Sequence, residues 1–234
     1  VEDRLTITAF LPCRAGSQRV PHKNTKPFGG NPEGLLGIKL RQLLDTPELT
    51  EIVLSTNDPL VIEIGERYLG PANGRLRIDL RPDELCSSST STDEVIAYVP
   101  RVITSGTVLW THVTSPFFDQ AEYSRAIALH DAAVAAGTHD SLMGVLELRT
   151  FLWDERGAIN YDRRVEKWPR TQTLPPVYEI NSSVFIASLE IFQRKQDRIG
   201  DRPYLYPVDK SKTLDVDWED DFVLASELWS RRHG

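Results

Sequence analysis

Leu11-Pro12-Cys13-Arg14-Ala15-Gly16-Ser17-Gln18-Arg19-Val20-Pro21-His22-Lys23-Asn24 follows an apolar run, Leu5-Thr6-Ile7-Thr8-Ala9-Phe10-Leu11, that first alternates and then turns fully hydrophobic. Such a run reads as a buried strand. A strand that opens into a loop carrying Gly, Ser, two Arg and a Lys predicts a polyphosphate cradle. Backbone N–H groups and the Ser17 hydroxyl donate hydrogen bonds there, while Arg14, Arg19 and Lys23 supply fixed positive charge. The chain as a whole has a net charge of −7, so this local concentration of cations needs a ligand to explain it. A nucleoside triphosphate is the expected anion.

Outward from this loop, strand and helix signals alternate, the pattern of a parallel α/β sheet. A helical apolar stripe spans 33–44, and Ile52-Val53-Leu54-Ser55-Thr56 reads as a short buried strand. Asp58 as N-cap and Pro59 at the first helical position start a helix that Gly70 closes. Leu76–Leu80 is a further strand. Arg81-Pro82-Asp83-Glu84-Leu85-Cys86 then leads into a Ser/Thr-rich run ending in Ser91-Thr92-Asp93. This segment reads either as a flexible linker or as a ligand loop between strand and helix. Ser91 and Glu94 are spaced as a capping box for the next helix, which Pro100 should kink or end.

Val108–Val113 reads as a central strand running into Thr114-Ser115-Pro116. Asp119 to Gly137 is a helix, with Asp119 and Glu122 as a second capping box. Ser141–Leu148 is a strand, and the pattern then fails from 149 to 176. Aromatic residues are scattered there among charges, as in an active-site flap or an oligomer interface. Order returns at Val184-Phe185-Ile186-Ala187, with a helix capped by Ser188. The sequence closes with Asp215-Val216-Asp217 at an expected strand end and a helix reaching Trp229. No repeat or linker divides the chain, so 1–234 is read as one domain.

Composition excludes several classes. The length of 234 residues and 40% hydrophobic content suit a soluble domain with a sizeable core. An acidic balance argues against nucleic-acid or membrane-surface partners. The absence of membrane-span and signal-peptide patterns makes a cytoplasmic location the expectation. Two cysteines, without CxxC or Cys/His clustering, exclude a disulfide scaffold and structural zinc. Cys13 is either a thiolate lowered by adjacent Arg14 or a small buried hydrophobe. Neither GxSxG nor GxxxxGK[ST] occurs, which sets aside hydrolase triads and the P-loop.

Asp215 and Asp217, two apart on one face, are candidates for Mg²⁺, which takes oxygen ligands and is commonly held by one or two carboxylates plus substrate phosphates. The competing reading is that Asp217 only caps the following helix. A cationic cradle and a carboxylate pair in one chain together describe phosphate–metal chemistry.

Five ordered blocks carry a resemblance. Arg14-x-Gly16-Ser17-x-Arg19-x-Pro21-x-Lys23-Asn24 resembles the N-terminal signature of the acylneuraminate cytidylyltransferases, the CMP-sialic acid synthetases. Arg81-Pro82-x-x-Leu85 with Ser91-x-Asp93, then Thr114-Ser115-Pro116, are similar to later blocks of that family. So are Arg170-x-Gln172-x-x-Pro175 followed by Asn181, and Asp215-x-Asp217 with Asp221-Phe222.

The resemblance implies a Rossmann-like α/β fold of the nucleotide-diphospho-sugar transferase type, with a mostly parallel central sheet flanked by helices. It further implies a homodimer whose excursion at 149–176 covers the partner's site. The implied reaction joins CTP and a nonulosonic sugar acid into a CMP-sugar and pyrophosphate with Mg²⁺. Arg14, Ala15, Gly16, Ser17, Gln18, Asn24, Arg81, Thr90 and Thr92 would contact the nucleotide. His112, Thr114, Arg170, Gln172 and Asn181 would face the sugar, and Asp215 and Asp217 would hold Mg²⁺. Arg14, Arg19, Lys23 and Asp217 would carry catalysis.

Three positions depart from the pattern. Gln18 stands where the family usually has Lys, His112-Val113 where Gln-Pro is common, and Ser182 where Gly is usual. The departures leave room for a legionaminic- or pseudaminic-type sugar. Two alternatives are a 3-deoxy-manno-octulosonate cytidylyltransferase, whose loop lacks the Lys23-Asn24 ending, and a catalytically weakened nucleotide-binding protein.

Overall fold

The computed structural model describes residues 6–233; Leu5, where the first apolar run begins, lies outside them. Nine strands are formed: β1 (Ile7–Cys13), β2 (Glu51–Thr56), β3 (Leu76–Leu80), β4 (Thr107–Trp110), β5 (Ser141–Leu148), β6 (Trp153–Asp154), β7 (Gly157–Ala158), β8 (Val177–Ser188) and β9 (Pro203–Pro207). The helices are α1 (Gly34–Leu44), α2 (Pro59–Leu69), α3 (Thr92–Val102), α4 (Gln120–Ala135), α5 (Leu189–Lys195) and α6 (Glu219–His233). Seven strands make one sheet in the order β3-β2-β1-β4-β8-β5-β9, and β6 and β7 form a separate ribbon.

The sheet is mixed. β1 runs parallel to β2 and β4, β2 to β3 and β5 to β9, whereas β8 is antiparallel to both β4 and β5. Alternation on the inner strands divides the core. Phe10, Val53, Val108 and Trp110 face α3 and α5, whereas Ala9, Leu11, Ile52, Leu54 and Leu109 face a larger cluster with α1, α2, α4 and α6. Because β1 is covered on both faces, its last turnless residues read as a continuous apolar run.

Local signals held where the chemistry is local. Asp58 accepts from the Leu60 N–H with Pro59 at the helix start, and Ser91 and Glu94 complete a reciprocal capping box. Other expectations shift. Pro100 sits inside the last turn of α3, which continues to Val102. Asp119 accepts from the Glu122 N–H at 3.2 Å, but the Glu122 carboxylate turns away to Tyr206 and Lys212, so the second box is half made. Ser188 occupies the N-cap of α5 without a side-chain cap bond. β4 ends at Trp110, three residues before Val113; just beyond it the Thr111 hydroxyl donates to the Ser183 carbonyl at 2.7 Å. β8 begins at Val177 rather than Val184, and β9 was not expected at all.

Asp215 and Asp217 do not lie on a strand. They flank Val216 in an irregular segment before α6, held by the Val216 N–H on the Thr114 carbonyl at 2.9 Å and by complete burial of the Val216 side chain.

Candidate active site

The loop after β1 is fixed by its own backbone before any side chain acts. Gly16 has φ +74° and His22 φ +53°, so the chain reverses twice within seven residues. Val20 is fully buried and pins the middle of the loop. The Ala15 N–H donates to Asn57 Oδ1 at 3.0 Å, joining the loop to the end of β2, and the Leu36 N–H donates to the Asn24 carbonyl at 2.9 Å. Gly34 (φ +63°) lets α1 start against this loop: a Cβ there would lie 2.5 Å from the Lys26 carbonyl.

The result is a cleft at the carboxyl ends of β1 and β4. One depression of about 360 Å³ is lined by Arg14, Ser17, Gln18, Arg19, Lys23, Asn24, His112 and Thr114, among others. A second, about 190 Å³, shares Arg14 and His112 with it and adds Arg81, Thr90, Thr92 and Trp110. A third, about 130 Å³, lies behind Gly16 and Lys23. A larger depression of about 720 Å³ lies elsewhere, between the 29–33 turn, α1 and the end of α6, and contains none of the loop cations. Size does not select the site here; the convergence of cationic and hydroxyl side chains at strand ends does.

Lys23 joins the two ends of the chain. Its ammonium donates to the Val216 carbonyl at 2.7 Å and to Asp217 Oδ1 at 3.4 Å, while Arg19 meets the same Asp217 oxygen at 2.9 Å. Burial lowers the Lys23 pKa, with Asp217 and then Asp215 opposing it. Asp217 is not the helix cap: the Asp221 carboxylate accepts the Asp217 and Trp218 N–H groups at 3.1 and 2.8 Å instead.

Asp215 Oδ1 is buried with no hydrogen-bond partner. Desolvation raises the Asp215 pKa, Thr114 opposes the shift, and Asp217 adds to it. Among the described residues no group of three or more His, Cys, Asp or Glu could hold a metal. An orphaned buried carboxylate oxygen beside a second carboxylate nonetheless fits Mg²⁺, which needs few protein ligands when phosphates supply the rest.

Arg81 is 4% exposed and donates Nε to Cys86 Sγ at 3.2 Å, leaving its terminal nitrogens for the cleft. Thr90 is tied to the Glu84 carbonyl at 3.2 Å. The structure thus brings together the residues expected from the loop, the Arg81 block, the Thr114 block and the Asp217 block. It does not bring in Arg170 or Gln172, which are exposed on the excursion and absent from the cleft lining. Asn181 has its amide engaged, donating Nδ2 to the Thr213 carbonyl at 3.1 Å and accepting from the Ser183 N–H at 2.9 Å. It therefore steadies the segment leading to Asp215. Cys13 is 1% exposed, and burial pushes its thiol up to about 12, so it is the small hydrophobe and not a nucleophile.

Sequence reasoning missed Lys39. Its buried ammonium donates to the Ser115 and Phe118 carbonyls, both at 3.0 Å, and to Tyr123 Oη at 2.8 Å, tethering the turn after β4. A lone Lys within the apolar stripe of α1 was the available signal.

A Rossmann-like mixed sheet, with a glycine-bearing cationic loop at the end of its central strand, defines a protein of the nucleotidyltransferase type. A model of the cytidylyltransferase family matches residues 8–213, and the chain belongs to that family. It is similar to the CMP-N,N'-diacetyllegionaminic acid synthase of Legionella pneumophila, 24% identical over 225 residues that cover 96% of each chain. Its identity to an N-acylneuraminate cytidylyltransferase of Escherichia coli is 24% over 98% of this chain, which spans 54% of that relative. Among solved structures, CMP:2-keto-3-deoxy-manno-octonic acid synthetase complexed with CTP shares the fold at a TM-score of 0.68 and 13% identity, covering 97% of this chain and 99% of that one. Among the described residues no helix is long and apolar enough to cross a membrane.

Proposed function

We propose that the chain transfers CMP from CTP to the anomeric hydroxyl of a nonulosonic sugar acid and releases pyrophosphate. The observation that carries this reading is the meeting of Arg19 and Lys23 with Asp217, which joins a phosphate-binding loop to a carboxylate pair from the far end of the chain. Similarity to a CMP-N,N'-diacetyllegionaminic acid synthase and to an N-acylneuraminate cytidylyltransferase supports the substrate class.

In this reading the loop N–H groups, Ser17, Asn24 and Arg14 hold the triphosphate, while Arg81, Thr90 and Thr92 line the nucleotide pocket. The sugar hydroxyl attacks the α-phosphorus as the bond to the β-phosphate oxygen breaks opposite it, and the hydroxyl proton passes to solvent water. No protein nucleophile is required, since positioning and charge neutralisation suffice. Arg14, Arg19 and Lys23 offset negative charge growing on the leaving pyrophosphate, each such contact being worth about 2–4 kcal/mol in the transition state. Asp215 and Asp217 would hold Mg²⁺, which supplies Lewis-acid neutralisation of phosphate oxygens.

A homodimer belongs to the same proposal. Trp153, Ile159, Val165 and Trp168 are exposed on the excursion, and Tyr178 and Ile180 on the adjoining end of β8. Large exposed apolar side chains gathered on one excursion and the adjoining strand end suit an interface.

The test is pyrophosphate release with CTP, MgCl₂ and a panel of nine-carbon 2-keto sugar acids plus 3-deoxy-manno-octulosonate. Release that requires all three components supports the reading. Turnover of the octulosonate alone selects the eight-carbon alternative, and CTP binding without any release selects a nucleotide-binding protein.

A further inference from the structure

His112 stands where the sugar acid is expected, and its ring is more constrained than a cleft residue needs to be. The Trp110 indole Nε1–H donates to His112 Nε2 at 2.8 Å, and the Arg198 guanidinium reaches the same nitrogen at 3.5 Å. Indole and guanidinium are donors only. A nitrogen that faces both cannot carry a proton, so the imidazole proton sits on Nδ1. That N–H has no acceptor among the described residues and belongs to a ring lining both main depressions of the cleft.

Arg198 is itself unusual. Its guanidinium lies 3.7 Å from the Phe185 ring centroid and 5.1 Å from that of Trp110. Among the described residues it forms no ion pair within 4.0 Å, and Asp197 and Asp93 act on it only from farther away. The segment bearing it is pinned: the Asp140 carboxylate accepts the Asp201 and Arg202 N–H groups at 2.8 and 3.0 Å, and Ser141 Oγ accepts the Gly200 N–H at 2.9 Å. A side chain at Gly200 would crowd the Asp140 carboxylate that holds these N–H groups. A partly desolvated cation held without a counter-ion is costly unless an anion arrives.

We propose that Trp110 and Arg198 lock His112 in its neutral Nδ1–H form, and that this N–H, beside the Arg198 charge, receives the carboxylate of the sugar acid. Trp110 is a positioning residue for His112, Arg198 both positions the ring and offers its charge to the carboxylate, and the three together are a specificity device for a monoanion. A neutral donor flanked by one cation matches a carboxylate, whereas Arg14, Arg19 and Lys23 already gather where a polyphosphate is expected. Burial lowers the His112 pKa most, and the charges of Arg198, Lys23 and Lys39 on neighbouring elements add to it, bringing it down to about 3. The ring therefore stays neutral through the working range of the proposed enzyme. The proposal rests on the cytidylyltransferase reading for its ligand, but the state of the ring does not.

Two measurements separate these parts. Side-chain ¹⁵N NMR of His112 in the full chain, from about pH 5 to about pH 8, should show Nδ1 protonated and Nε2 unprotonated throughout. Arg198→Met and Trp110→Phe should each move the ring toward mixed tautomers; a protonated Nε2 in the unaltered chain overturns the assignment.

Kinetics with N-acetylneuraminate, N,N'-diacetyllegionaminate or pseudaminate then read the ligand. Arg198→Met should raise KM for the sugar acid by about tenfold or more, as expected for a lost charged contact, with KM for CTP unchanged. His112→Gln, which keeps one donor and one acceptor, should retain more turnover than His112→Leu. An unchanged sugar KM in Arg198→Met refutes the carboxylate role. If no sugar acid turns over in the unaltered chain, the transferase reading and the carboxylate role fail together, and the spectra alone decide the ring.

Discussion

Replacing Asp215 by Asn should make the metal-free protein more stable and the enzyme inactive, a combination that a purely structural aspartate cannot give. Its neighbour Val216 remains tethered by the Thr114 carbonyl and the Lys23 ammonium, so the segment keeps its course. Asp215 Oδ1 is buried without a partner, and burial is the leading cause of its raised pKa. Removing the charge relieves desolvation while the amide leaves one polar group imperfectly paired. The net gain is about 1 kcal/mol, given about 1–3 kcal/mol for an unsatisfied buried group.

For a domain of this size that corresponds to a rise in Tm of about 2–4 °C. A carboxylate whose folded pKa is raised contributes stability below its unfolded pKa and loses it as pH rises through the folded value. The advantage of Asn should therefore be absent in acid, grow toward neutrality and then level off. Magnesium should reverse the order. At a concentration about 100 times its dissociation constant, a ligand bound only by the native state stabilises by about 2.7 kcal/mol, which the Asn chain forgoes. Thermal unfolding with and without MgCl₂ across this range, paired with pyrophosphate release, reads both effects. An Asn chain that is less stable without metal, or one that keeps the magnesium shift, refutes the reasoning.

Three further outcomes follow from the same cleft. Gln18→Lys adds a cation to the depression lined by Arg14, Arg19 and Lys23 and, if that depression takes the triphosphate as proposed, should raise kcat/KM for CTP by about fivefold or more in initial-rate assays; no gain means that Arg19 and Lys23 already fill the role. Lys39→Met orphans the Ser115 and Phe118 carbonyls and should cost about 2 kcal/mol, seen as a Tm lower by about 4–8 °C. Burial brings the Lys39 pKa from 10.5 to about 7, so the unaltered chain should gain stability as pH rises between those values while the Met chain lacks that slope. Cys13 should resist iodoacetamide in the native chain at about pH 8 and react after unfolding in urea, as followed by intact mass.

What the sequence made legible was whatever its own neighbours decide. β1 is buried on both faces and so reads as an apolar run, while the caps at Asp58 and Ser91 depend on residues two or three positions away. β9 was invisible because prolines bound it and its register comes from β5, some sixty residues earlier in the chain. The start of β8 was missed for a related reason. Tyr178 and Ile180 point outward there, and only pairing with β5 makes the segment a strand. For the candidate site, residue types at spaced positions singled out the loop cations and the carboxylates, and the fold brings Arg19 and Lys23 against Asp217. The strand proposed for Asp215 and Asp217 was wrong, yet their approach to the loop was right, because Val216 anchors on Thr114 without forming a ladder. Arg198 acts through contacts made only in the fold and no local pattern marks it, whereas Lys39 was marked only by standing alone in the apolar stripe of α1.

The loop cations also divide by what already holds them, and the division bears on mechanism more than their number does. Lys23 has a side chain only 12% exposed and spends a hydrogen bond on a backbone carbonyl, so it is part of the framework joining the two chain ends. Arg19 and Asp217 are both nearly half exposed, and a pair of that kind is worth about 0–1 kcal/mol. That pair is inexpensive to exchange. Arg14 has only long contacts, at 3.4 Å, to the Ala15 and Gly16 carbonyls. Substrate phosphates can therefore recruit Arg14 directly and draw Arg19 from Asp217, leaving that carboxylate for a metal while Lys23 keeps the two halves of the site together. An overall acidic chain thus maintains a cationic loop with less standing repulsion, because Arg19 is lightly neutralised by Asp217, the carboxylate it would leave when substrate and metal bind.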